Sequence, residues 1–182
     1  MEPTLETLGR SIRHCMRCER CRSRRHAVPG EGAARRKILL LGEAPGKTED
    51  QTGRPFAGRT GRWMNQLLAK HGLARDDFFI TSILKCYHPD PLKPRQIEAC
   101  RAWTLQQIGV VRPRLILVMG RAAAGGLLGL KALGEKAVVT RWLHIPCVVT
   151  CHPSAAMRFP ARGKRFRRDF RRLLEMVQDA RS

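Results

Sequence analysis

Acidic side chains are scarce in this 182-residue chain: 15 Asp and Glu stand against 35 Lys and Arg, a formal net charge of +20. A folded chain so unbalanced repels itself unless a polyanion offsets the excess, and counterion release from phosphates is the evident gain. No apolar run approaches the roughly 20 residues that span a bilayer. The basic residues are spread over at least three segments and do not gather beside a lipid-anchor signal, so a nucleic acid ranks above an anionic membrane as partner. The opening MEPTLETLGRSIRHC is acidic and then polar, unlike a secretory leader. Internal repeats and low-complexity tracts are missing. Seven cysteines, an odd number, without an export signal read as reduced thiols and metal ligands, not as a disulfide framework. The expected location is the cytoplasm, at the nucleoid.

What the chain does contain is ordered. An apolar content of 43% is that of a globular protein, and the length suits one domain, residues 1–182. A Cys/Arg-rich arm reaching to about residue 30 is read as part of that domain. Four apolar, β-branched runs, 37–41, 78–84, 115–119 and 146–150, predict strands. Between them, 59–71 carries Trp63, Leu67 and Leu68 on one side, and 95–111 carries Ile97, Trp103, Leu105 and Ile108. The last segment, 164–181, sets Phe166, Phe170, Leu173, Leu174 and Val177 on one helical face against five arginines, with Arg162–Gly163 as a hinge leading in. Strands alternating with helices predict an α/β fold, a three-layer α/β/α arrangement around a central four-stranded, mostly parallel sheet. Ligands of such sheets bind at the carboxyl ends of the strands.

The cysteines form two separated pairs. Cys15 and Cys18 stand two residues apart in a Cys-x-x-Cys unit, while Cys86 follows a strand and Cys100 lies 13 intervening residues on, in the next helix. Four thiolates can close a tetrahedral zinc site or hold a [4Fe–4S] cluster, and spacing alone does not separate the two. Cys21 extends the first pair to Cys-x-x-Cys-x-x-Cys, like a fragment of a ferredoxin without its fourth ligand and proline. Cys147 reads as a small buried hydrophobe; Cys151 adjoins His152.

Three further motifs carry chemistry. The turn after the first strand, Gly42-Glu43-Ala44-Pro45-Gly46-Lys47-Thr48, is one residue short of a phosphate loop. Glu43 would oppose phosphate there and Pro45 lacks an N–H, so no nucleotide cofactor is expected. The turn reads instead as one presenting a carboxylate into a crevice, or as a plain turn with a solvated Glu. In Gly53-Arg54-Pro55-Phe56-Ala57-Gly58, Phe56 falls outside any apolar periodicity, as a loop anchor or as a platform for a planar base. His152, at the carboxyl end of the fourth strand before Pro153-Ser154, is placed for chemistry.

Together these residues resemble the family 4 uracil-DNA glycosylases, which carry a [4Fe–4S] cluster. The resemblance runs from about Leu8 to Arg158. It takes in Cys15-x-x-Cys18, Val28-Pro29-Gly30-Glu31-Gly32, the 42–46 turn with Glu49-Asp50, the 53–58 segment, Ile80-Thr81-Ser82 leading to Lys85-Cys86, Cys100, and His152-Pro153-Ser154. It implies Cys15, Cys18, Cys86 and Cys100 as cluster ligands, Glu43 and His152 as catalytic groups, and Phe56 as the stack for uracil. Backbone groups of Gly42 and Ala44, with Ser82, would read the base edge. Met157 is a candidate wedge for the vacated stack, or a core methionine, and Arg158 and the basic last helix would meet phosphates.

One position departs from that pattern. The family motif Ile-Thr-Asn ends here in Ser82, whose hydroxyl lacks the fixed donor–acceptor pair of an amide. Asn65, the chain's one asparagine, lies on the 59–71 helix. The implied function is hydrolytic excision of a deaminated base from single- or double-stranded DNA, and a monomer is the default oligomeric state. Uracil leads, with hypoxanthine or xanthine as the alternative of the same fold. A non-catalytic, metal-stabilised nucleic-acid-binding module and an electron-transfer protein are the rival classes.

Overall fold

The computed structural model describes residues 3–87, 89–134 and 138–179. Its sheet has strands β1 (Ile38–Gly42), β2 (Phe78–Ser82), β3 (Leu115–Met119), β4 (Val138–Trp142) and β5 (Ile145–Thr150) in the order β2-β1-β3-β5-β4. The four anticipated strands are all present and mutually parallel. The fifth, β4, corrects the expected count of four. It pairs antiparallel with β5 at the sheet's edge. Only alternate residues of β4 are half-buried, so it never forms the continuous apolar run by which a strand buried on both faces announces itself.

The helices are α1 (Leu5–Arg13), α2 (Lys47–Thr52), α3 (Arg59–Lys70), α4 (Pro94–Val111), α5 (Arg121–Leu128), α6 (Pro153–Arg158) and α7 (Pro160–Asp179). Period-two alternation sends successive residues of β1 to opposite faces. Leu39 and Leu41 pack with Leu8 and Ile12 of α1, Trp103 and Ile108 of α4 and Leu127 of α5. Ile38 and Leu40 pack with Met64, Leu67 and Leu68 of α3 and Phe166, Phe170 and Leu173 of α7. Helices on both faces make the three layers expected. Each fully buried Phe or Leu of α7 contributes about 1.5–3 kcal/mol of burial.

The expected hinge at Arg162–Gly163 is not one. Helix α7 begins at Pro160, which supplies a preset φ at the first helical position, and runs unbroken through Gly163. A Cβ there would lie 2.7 Å from the Ala156 carbonyl oxygen, so the glycine allows α7 to press against α6. The expected helix end, Arg181, lies outside the described residues. On the far side, the N-terminal arm is tied in: α1 packs on α4, and Asp50 of α2 accepts the backbone N–H groups of Arg25 and His26.

Candidate active site

Three strand ends converge. Glu43 follows β1, Ser82 ends β2 beside Gly42, and His152 follows β5. Glu43 is half-buried, and its Oε1 accepts the N–H of Ala122 at 2.7 Å, in the first turn of α5. The carboxylate thus sits at the N-terminal end of that helix, where backbone N–H groups are unpaired. Gly120, at φ +96°, lets the carboxylate in: a Cβ there would sit 2.6 Å from the Glu43 carboxyl carbon. The solvated-Glu reading of this turn is thereby set aside.

His152 is the N-cap of α6. Its Nδ1 accepts the N–H of Ser154 at 3.2 Å and lies 2.8 Å from the Ser154 hydroxyl. Because Nδ1 is an acceptor, the ring proton is assigned to Nε2. Burial lowers the imidazole pKa below its ordinary value, against the opposing pull of the Glu43 and Glu49 carboxylates, so the ring is neutral near pH 7.

Phe56 is buried at φ +48° and stacks on His152, with centroids 6.1 Å apart and planes 24° off parallel. A Cβ on Gly42 would lie 2.7 Å from the Phe56 ring and 3.2 Å from Ser82 Oγ, which places ring and hydroxyl at one point on the strand end. Glu49 joins the two loops, accepting the N–H of Gly46 at 3.0 Å and of Gly58 at 2.9 Å. Asn65 is occupied elsewhere, accepting from Arg75 at 2.9 Å.

A cleft of about 1360 Å³ opens from Glu43 and His152 along α7. Lys70, Arg121, Arg162, Lys164, Arg167 and Arg171 line it, with Cys151 and Ser154. Met157 is half-buried and Arg158 exposed on α6. Two features here carried no local sequence signal. Asp169, inside a run of arginines, is wholly buried, where it accepts from Thr150 at 2.8 Å and Arg165 at 3.3 Å. Phe159, between α6 and α7, is 45% exposed with the Arg162 guanidinium 4.9 Å above its ring.

The cysteines sort as expected in part. Cys147 is fully buried, its thiol pushed up to about 11 by burial, and Cys151 donates weakly to the Arg162 carbonyl at 3.6 Å. Cys15, Cys18, Cys86 and Cys100 line one small cavity, and Cys21 lines it as well. Trp103 Nε1–H donates to Cys15 Sγ and an Arg24 N–H to Cys86 Sγ, both at 3.2 Å. Among the described residues, no three Cys, His, Asp or Glu side chains draw together closely enough to share one metal ion. Lys85 adjoins this cavity, not the cleft. It is fully buried but satisfied by Thr81, Ser82 O and Gln107 at 2.6–2.8 Å, and burial brings its pKa down to about 8.

The model of the Uracil DNA glycosylase superfamily matches residues 29–178. A type-4 uracil-DNA glycosylase of Pyrobaculum aerophilum is 36% identical over 91% of this chain and 90% of its own length. The type-4 uracil-DNA glycosylases of Archaeoglobus fulgidus and Saccharolobus solfataricus are 32% and 33% identical, each over 95% of this chain, and 93% and 86% of their own lengths are covered.

Proposed function

The chain belongs to the Uracil DNA glycosylase superfamily, and we propose on that basis that it excises uracil from DNA by hydrolysing the N-glycosidic bond, leaving an abasic site. The observation that carries the site assignment is the N-cap bond of His152, which takes up Nδ1 and leaves the ring proton on Nε2, with the Phe56 ring stacked on the imidazole and Glu43 lining the same cleft.

The target nucleotide leaves the duplex, at a cost of a few kcal/mol that is least at mismatched or unpaired bases. Phe56 stacks on the base. Ser82 and the backbone of Gly42 and Ala44 hydrogen-bond its edge. As the glycosidic bond lengthens, negative charge moves onto the base, and His152 donates Nε2–H to the carbonyl oxygen where it collects. Glu43 keeps one oxygen on the Ala122 N–H; the other orients water or faces the oxocarbenium-like sugar. The cleft cations take the phosphates, Arg158, exposed on α6, takes a further one, and Met157 is the candidate wedge. Lys85, whose pKa burial lowers, faces the thiol cavity and not the cleft, and the cleft lysines Lys70 and Lys164 are read as phosphate contacts, so no strand cleavage is expected.

Cys15, Cys18, Cys86 and Cys100 fit a [4Fe–4S] cluster better than a lone zinc. Four thiols line one cavity, two of them facing N–H donors, and the relatives are type-4 uracil-DNA glycosylases, the family whose resemblance implies the cluster. When bound, it would cross-link the N-terminal arm to α4 and the segment after β2.

Ser82 favours a second, broader reading of base preference. The hydroxyl cannot set a fixed donor beside a fixed acceptor, so hypoxanthine and xanthine are also candidate substrates. The deciding assay uses labelled oligonucleotides carrying one uracil, hypoxanthine or xanthine, with alkali treatment to reveal abasic sites. Excision of uracil that is lost in Glu43→Gln and His152→Ala is the expected result. Tight DNA binding without excision of any base would overturn the enzymatic reading and favour a binding module.

A further inference from the structure

Five thiols, not four, face the cavity between the N-terminal arm and α4. They are not equally anchored. Cys15 has its sulfur fixed by Trp103 and its carbonyl by Arg24 at 2.7 Å. Cys86 is buried in a bridge to Ala27, with Arg24 on its sulfur, and Cys100 is buried on α4. Cys18 and Cys21 are half-buried, as Cys15 is, but among the described residues neither of their sulfurs accepts the side-chain N–H that fixes Cys15.

These two also share one turn. Cys18 caps the 3₁₀ helix Glu19–Arg22, and the N–H of Cys21 donates to the Cys18 carbonyl at 3.1 Å. Cys18 stands at the extended N-cap and Cys21 inside the turn, and both line the cavity. A rearrangement confined to this one short turn, such as a shift along its axis, therefore exchanges one sulfur for the other, while Cys15, Cys86 and Cys100 stay in place.

We propose that Cys21 is an alternate cluster ligand that replaces Cys18. This rests on the cluster reading above. In the exchange, the Cys21 thiol releases its proton to solvent as its sulfur bonds iron. The iron–Cys18 bond breaks and Cys18 takes up a proton, with the oxidation state of the iron unchanged. The consequence is tolerance: a partly exposed cysteine is open to oxidation or alkylation, and loss of Cys18 leaves the cluster held by four thiolates.

The test is anaerobic reconstitution of the full chain as wild type, Cys18→Ser, Cys21→Ser and the double variant. Iron and acid-labile sulfide per chain and visible absorbance are read alongside far-UV circular dichroism. Wild type and both single variants are expected to hold the same iron, and the double variant to lose it. Loss of iron from Cys18→Ser alone, or its retention by the double variant, overturns the proposal. Wild type without iron would instead sink the cluster reading itself. Alkylation of the loaded proteins, read by peptide mass, gives an answer independent of the double variant's folding. Cys21 should react in wild type and be protected in Cys18→Ser, and a Cys21 that reacts equally in both refutes the exchange.

Discussion

Arg75 donates to the carbonyl oxygen of Pro55 at 2.6 Å, one residue before the strained Phe56. The same guanidinium bonds Glu31 at 2.8 Å and Asn65 at 2.9 Å, while Arg54, in the Phe56 loop, bonds Glu31 at 2.9 Å. A left-handed φ at a bulky residue persists only where its surroundings over-determine it. The Arg75–Glu31 pair does so for the ring that lies against His152.

Replacing Arg75 with Ala should cost about 1.5–3 kcal/mol of stability, measured by urea denaturation. Excision should lose about 10- to 100-fold in kcat/KM as the stack on Phe56 loosens. Burial works to raise the Glu31 carboxyl, but the Arg54 hydrogen bond and the Arg75 charge outweigh it and hold it below the ordinary value. The stabilisation from Glu31 is therefore complete above the unfolded carboxyl value and fades as pH falls through the depressed one. Glu31→Gln should flatten that acid-side decline.

Glu43→Gln should lower kcat by about 100-fold or more with little change in thermal midpoint. The amide oxygen can still accept the Ala122 N–H, so the α5 contact survives while the charge facing the sugar is lost. A large drop in midpoint would mean that the charge at the helix end matters chiefly to folding.

The acid limb of the pH–rate profile that belongs to His152 should fall below pH 6.5, its ordinary value, because burial disfavours the imidazolium. The neutral form, with Nδ1 accepting from Ser154, exists above the lowered pKa; protonation below it breaks the N-cap bond. His152→Gln should remove that limb and reduce kcat by about 10²–10³. A limb unchanged in the variant would assign it to another group.

Binding to an oligonucleotide should weaken steeply with salt, and Lys164→Ala, Arg167→Ala or Arg171→Ala should each lower the slope of log K against log salt by about one. Equal slopes in variant and wild type would place the phosphates away from the α7 cleft.

Ser82→Asn should sharpen preference for uracil over hypoxanthine by about tenfold or more, since a two-point amide contact is worth about 1–3 kcal/mol of base discrimination. The ratio of single-turnover rates on the two oligonucleotides is the measure. An unchanged ratio would mean that the backbone, not the side chain at this position, selects the base.

Much of the fold was legible in the chain because its signals are local. Strands buried on both faces need continuous apolar runs, so 115–119 could be read directly; the amphipathic period of α3 and α7 was equally plain, while α4 buries Gln96, Thr104 and Gln107 and leaves Ile97 and Leu105 half-buried. Edge strand β4 was hidden, since half-burial leaves only weak alternation, and Gly163 read as a break because its use is a close approach to α6, invisible in one dimension. At the site, residue chemistry alone picked out Glu43, Phe56, His152 and the cysteine pairs, while the assignment of Ser82 came through the resemblance. What holds them was decided by tertiary structure: Ala122 lies 79 residues from Glu43, Arg75 lies 20 from Pro55, and Cys21 joins the other thiols only when the arm folds against α4. Sequence dictates backbone propensity and side-chain chemistry, which act over a few residues. Packing alone determines which distant donor meets which acceptor, because those contacts exist only once the chain has closed on itself.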